Sequence, residues 1–118
     1  MLKTAEAILG INDRPAPVVL HVPEWTDSVY LRHPTANDRD LWELYCTSMK
    51  DGAGNGKKTF RAKLAAMLLC DENGKLLFSQ HQVERLGDQS AVALQRIWEK
   101  GVEMMSITPQ EIIELEKN

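Results

Sequence analysis

The sequence predicts an α+β fold: an N-terminal antiparallel β-hairpin followed by a bundle of four to five helices. Three observations point there. Residues 18–22 and 28–32 are short β-branched or aromatic segments separated by five residues. Apolar residues recur at helical spacing from Leu41 onward, and capping signals precede the later apolar runs.

Ahead of the hairpin, residues 4–9 suit one or two helical turns stopped by Gly10, and residues 12–17, with Pro15 and Pro17, read as an extended linker. Residues 1–17 are therefore expected to be a mobile segment and residues 18–118 a single domain. In the hairpin, Val18, Leu20 and Val22 are opposed by Val19 and His21, while Val29 and Leu31 alternate with Tyr30. Pro23, Glu24, Trp25, Thr26 and Asp27 join the strands as an irregular loop. A lone hairpin is marginal in water, so this one must pack on helices or pair with a further strand.

His33-Pro34 ends the second strand, and Thr35 followed by Asp38 marks a helix start. Leu41, Trp42, Leu44, Tyr45 and Met49 then form an apolar stripe, with Arg39, Asp40, Glu43 and Lys50 largely opposite. Three glycines in residues 51–56 break the helix, and Phe60, Leu64, Met67 and Leu68 define a second one. Its end is apolar on nearly every side, which makes it the expected centre of the core.

Residues 71–75 read as a turn, and Leu76-Leu77-Phe78 as a short strand or buried connector. Ser79 and Gln82 form a capping box for a short helix closed by Gly87. Asp88 is placed to cap the next helix, whose inner face carries Ala91, Leu94, Trp98, Gly101 and Met105 with Ile97, Val102 and Met104 beside it. Thr108, Pro109 and Glu111 start a last helix through Leu115.

Composition narrows function. Fourteen basic against seventeen acidic residues give a net charge of −3, which disfavours nucleic acid or anionic membrane as a general partner. Cys46 and Cys70 both sit in apolar helical patterns and read as reduced core thiols. The longest apolar run, residues 64–70, falls far short of the roughly 20 residues of a membrane span. The first residues show no signal-peptide core, so the chain is expected to stay in the compartment where it is made.

No local motif carries chemistry. His21, His33 and His81 stand alone in unlike contexts, and neither cysteine has a Cys or His nearby, so no metal, cofactor or redox motif is present. Residues 71–75 fail the calcium-loop pattern, and the glycines before Lys57-Lys58-Thr59 fail the phosphate-loop spacing. Candidate partner-binding residues are Trp25, Val29 and Leu31 on the hairpin, and Lys57, Lys58 and Arg61, which with Lys63 form a basic patch at a helix N-terminus. Trp25 either folds back on the core or stays available to a partner; in the second case Trp25→Ala would cost less than about 1 kcal/mol of stability. The basic patch reads more readily as a solvated helix face than as a contact for an acidic protein surface.

The order of these features resembles the tail assembly chaperones of long-tailed bacteriophages, counterparts of the phage lambda tail chaperones made by a ribosomal frameshift. The resemblance rests on Val29-Tyr30-Leu31-Arg32, on residues 37–42 (NDRDLW), on the glycine-rich gap, and on residues 61–78 (RAKLAAMLLCDENGKLLF), and it runs from about Val18 to the C-terminus. It implies a non-catalytic assembly factor in the cytoplasm of the bacterial host, absent from the mature virion. Its partners would be the tape measure protein, kept soluble along its length, and the tail tube protein, with a longer frameshifted sister product. Many copies on one long partner would also favour weak self-association. No cofactor, nucleic acid or membrane is implied. Two other readings stay open: a small host-directed adaptor or inhibitor binding one protein through Trp25 and the hairpin edge, and an enzyme assembled from His21, His33, Cys46 or Cys70.

Overall fold

The computed structural model describes residues 1–12, 14–50 and 59–117. Strands β1 (Val18–Val22) and β2 (Asp27–Leu31) pair antiparallel, with Val18 opposite Leu31 and Leu20 opposite Val29. Their connection is a single 3-10 turn, Pro23–Trp25, ended by Thr26 at φ 53°, whose hydroxyl donates to the Trp25 carbonyl at 2.7 Å. The strand alternation sends Leu20, Val22, Val29 and Leu31 inward and leaves Val19 and Tyr30 outside. Before the hairpin, α1 (Ala5–Leu9) is capped by the Thr4 hydroxyl and Gly10 and buries no residue.

Helix α2 (Ala36–Lys50) follows, and then α3 (Phe60–Leu68). Phe60, Ala62 and residues 64–68 of α3 are all buried, so this helix is the centre of the core, as its all-round apolar end predicts. The apolar run does not stay helical to its end. Leu69 turns to φ −62°, ψ 122°, and Leu69–Cys70 forms β3, which pairs antiparallel with β2 through Tyr30↔Cys70 and Leu31↔Leu69. Cys70 is thus a strand residue and not a helical one. A continuously apolar segment has no period to separate helix from strand, and here the unpaired side of β2 decides. The chain then reverses through Asp71, whose carboxylate accepts the Asn73 and Lys75 N–H groups at 2.8 and 2.9 Å, with Gly74 at φ 85°.

Ser79 and Gln82 form the expected capping box before α4 (Val83–Leu86), closed by Gly87. The cap of α5 (Ala91–Met105) is Ser90, not Asp88: its hydroxyl accepts the Ala93 N–H at 3.3 Å. Thr108 caps α6 (Pro109–Lys117) by accepting the Glu111 N–H at 3.2 Å. Helix α5 crosses α3 at Gly101, where a Cβ would lie 3.0 Å from Leu64 Cδ2 and 3.1 Å from Leu68 Cδ1. Only a glycine lets the two backbones approach this closely without displacing leucines from a packed interior. Trp98 of α5 stacks with Phe60 edge-on at 5.3 Å and meets Trp42 of α2 at 6.0 Å.

The stripe expected on α2 is split. Trp42 is buried and Tyr45 is packed on the core, but Leu41 and Leu44 are exposed. The inner side instead takes Asp38, only 7% exposed. Arg32, just past β2, donates from Nη2 to Asp38 Oδ1 at 2.7 Å and from Nε to the Met67 carbonyl at 3.1 Å. The second carboxylate oxygen accepts the Thr35 N–H at 2.8 Å, and the Asp38 N–H donates to Thr35 Oγ1 at 3.2 Å. Arg39 ties α2 to α6 through two bonds to Glu111, at 2.7 and 2.8 Å.

Asp38→Ala is expected to destabilise the chain by about 3 kcal/mol in a denaturant melt, because it strands the Arg32 guanidinium and uncaps α2. Asp38→Asn, which keeps an acceptor, should cost less.

Candidate functional site

The hairpin residues chosen from sequence do not share one surface. Leu31 is fully enclosed, packed in the same cluster as Trp42, Leu64 and Trp98. Val29 is half-buried on the same inner face of β2 and packs on that cluster. The expectation that these two side chains meet a partner is corrected by strand parity. Both faces of the hairpin read as apolar in sequence, and only the position of the helices shows which is covered.

The open face carries a different set. Val19, Tyr30, Cys70 and Leu76 lie in cross-strand register from β1 to the segment after β3. Val19, Tyr30 and Leu76 are exposed, at 61%, 37% and 39%, while Cys70 is covered. His21 and Ser28 sit beside them, Nδ1 and Oγ 3.4 Å apart. This row crosses the sheet on the face opposite Leu20, Val29 and Leu31. The alternation of Tyr30 with Val29 and Leu31 was the signal that could have found it. A second exposed apolar pair, Leu41 and Leu44, lies on the outer face of α2.

Trp25 stands between the two roles weighed for it. Its ring is half-buried and packs on the core, yet it also lines an open hollow of about 310 Å³ with Phe78, Gln82, Arg85, Leu86 and Gln89. Beside it Glu24 receives two bonds from Arg96 of α5, at 2.6 and 3.1 Å, which fasten the hairpin turn to that helix. The Arg96 bonds lower the Glu24 pKa below the usual carboxylate value. A lowered pKa means that this tie strengthens folding above the unfolded-state pKa and is lost as pH falls through the folded-state value.

Arg61 is exposed in the first turn of α3. Its guanidinium lies 4.9 Å from the Phe60 ring centre, and Nε donates to Gln95 Oε1 at 2.8 Å. Lys63 lies over the Tyr45 ring at 5.7 Å and donates to Gln80; burial lowers its pKa. These contacts hold two members of the basic patch against the protein. Lys57 and Lys58 lie outside the described residues.

Among the described residues, no three His, Cys, Asp or Glu side chains gather as metal ligands, and no helix is long and apolar enough to cross a membrane. Cys46 lines a hollow of about 310 Å³ between α2 and α6 with Trp42, Glu111 and Leu115. Burial, helped by the negative charge of Glu111, raises its pKa to about 11. Burial also raises that of Cys70. Both thiols are therefore protonated near neutral pH, the opposite of an activated nucleophile. Alkylation of Cys46, followed by mass mapping at pH 8, should run about a hundredfold slower than that of an unperturbed thiol. It should speed up about tenfold per pH unit while the fold persists.

A scan against protein families matches residues 17–118 to the phage tail assembly chaperone model. No curated protein and no solved structure matches the chain. The match begins one residue before β1 and takes in the hairpin and helices α2 to α6, the elements that build the core and the open sheet face. By that match, this chain belongs to the phage tail assembly chaperone family.

Proposed function

We propose that this chain binds and solubilises the tape measure protein and helps to recruit tail tube subunits, without catalysis, in the cytoplasm of the bacterial host. The observation that carries this reading is the family match across residues 17–118. The exposed apolar surfaces support it. A long helical partner with apolar seams aggregates unless those seams are covered, and covering them needs apolar surface on a cover that itself stays dissolved. The row Val19, Tyr30 and Leu76 and the pair Leu41 and Leu44 supply that surface, and the net charge of −3 helps keep the complex dispersed. Many copies along one partner would act at high effective concentration on each other. The adaptor reading, with one fixed partner, has no separate observation in its favour.

Co-expression with a tape measure fragment should keep that fragment in the soluble fraction at many chaperone copies per chain, and a tube subunit should co-purify. Equal precipitation with and without this protein would reject the reading, and a fixed one-to-one complex would favour an adaptor. Trp25→Ala should reduce the soluble yield and lower stability by about 2 kcal/mol, short of a fully buried tryptophan but more than a solvent-facing ring would cost.

A further inference from the structure

We propose that the hollow at the tip of the hairpin is a pocket for a side-chain carboxylate of a partner protein, an Asp or Glu flanked by an apolar residue. Trp25, Phe78 and the buried Leu86 supply the apolar part of its lining, and Gln82, Arg85 and Gln89 supply the polar part. Two of these groups are held in place before any partner arrives. The Glu24–Arg96 pair fastens the hairpin turn to α5, and the Thr26 hydroxyl donates to the Trp25 carbonyl, so the backbone that carries the Trp25 ring is fixed. Gln82 is held by the cap ahead of α4, where its Oε1 accepts the Ser79 N–H at 2.9 Å. A pocket whose groups are already ordered loses less entropy on binding.

What the hollow offers is hydrogen-bond donors. With Gln82 Oε1 committed to Ser79, the orientation of the amide is set and Nε2 is its free end, without an acceptor among the described residues. Arg85 is exposed on α4, and its guanidinium has neither an ion pair nor a hydrogen bond among the described residues. Arg32, Arg39, Arg61 and Arg96 are each engaged by a carboxylate or an amide oxygen. No carboxylate lines this hollow, whereas Glu43, Glu111 and Glu114 all line the one of equal volume between α2 and α6.

A carboxylate answers that arrangement. The planar fork of Arg85 matches its two oxygens, Gln82 adds a further donor, and the Trp25 and Phe78 rings take an apolar neighbour. A cation would face Arg85 with no carboxylate to offset the repulsion. A single positive charge balances a monoanion, and a dianionic phosphate would leave charge uncompensated beside Glu84 and Asp88, the acidic residues flanking Arg85 in sequence. A chain-terminal carboxylate is characteristically caught by a nest of backbone N–H groups, and here the donors are side chains. Tryptophan and arginine around a pocket are also the residue types that most often dominate the energy of an interface.

Titration of the full chain by proton–nitrogen NMR with blocked tripeptides tests the pocket. Acetyl-Leu-Glu-Leu-amide should shift the Trp25 indole, Gln82 amide and Arg85 guanidinium signals, with a Kd about tenfold below that of the glutamine-centred peptide. Arg85→Gln changes a side chain that lies in solvent without a partner, so its melt should match the parent while the preference for glutamate disappears. Lys117→Gln makes the same change of charge on α6 and should leave the preference intact. The proposal falls if the glutamate peptide shifts none of these signals at millimolar concentration, or if the glutamine-, lysine- or phosphoserine-centred peptide binds as tightly. It falls equally if acetyl-Leu-Leu with a free terminal carboxylate binds as tightly, or if Arg85→Gln retains the preference. The comparison among peptides uses the unsubstituted protein and stands whatever the variants do. A chain that solubilises a tape measure fragment yet ignores the glutamate peptide would overturn the pocket and leave the proposed function standing.

Discussion

Asp38 is the charged residue that the core encloses among the described ones, and both of its carboxylate oxygens are used. One takes the Arg32 guanidinium and the other the Thr35 backbone, while Arg32 also reaches the Met67 carbonyl and its own N–H donates to Leu68 at 2.9 Å. These few bonds fix the end of β2, the start of α2 and the end of α3 at one point. A buried ion pair gains little over an apolar substitute, but one whose carboxylate oxygens both accept a hydrogen bond allows few alternative arrangements. The junction therefore lies where α3 ends and β3 begins to pair with β2.

Once that junction is set, the packing follows from side-chain volume. Helix α3 presents alanines and leucines on almost every side, and Gly101 lets α5 lie directly against Leu64 and Leu68. Trp42, Phe60 and Trp98 fill the space where α2, α3 and α5 converge. On the face of the sheet opposite Val29 and Leu31, Val19, Tyr30 and Leu76 stay exposed while Cys70 between them is covered. The same arrangement that buries Val29 and Leu31 leaves Val19 and Tyr30 in solvent, so the core and the candidate contact surface are two outcomes of one strand alternation.

Several elements were legible because their signals are local. The Ser79–Gln82 box, the Thr108–Pro109 helix start and the Asp71 turn each depend on residues within about five positions of one another, and the hairpin on two short strands joined by one tight loop. The central place of α3 was also legible, since a helix apolar all round has nowhere to go but inside. The choice of Ser90 over Asp88 as cap was not, because either residue has an acceptor at suitable spacing. Nor was the exposure of Leu41 and Leu44, which share a helical stripe with Trp42 and Tyr45 until Asp38 takes a place on the inner side.

By itself, then, the sequence determined the class of fold, the order of its elements, the lack of a local catalytic or metal motif, and the family. These follow from periodicity, capping and composition, all of which act over short stretches of chain. Only the tertiary structure decided which face of the hairpin is core, that Leu69 and Cys70 close the sheet as a third strand, and that Trp25 is shared between core and surface. Each of these depends on contacts between residues far apart in the chain, where two local conformations or two strand faces are nearly equal in energy until a distant partner arrives.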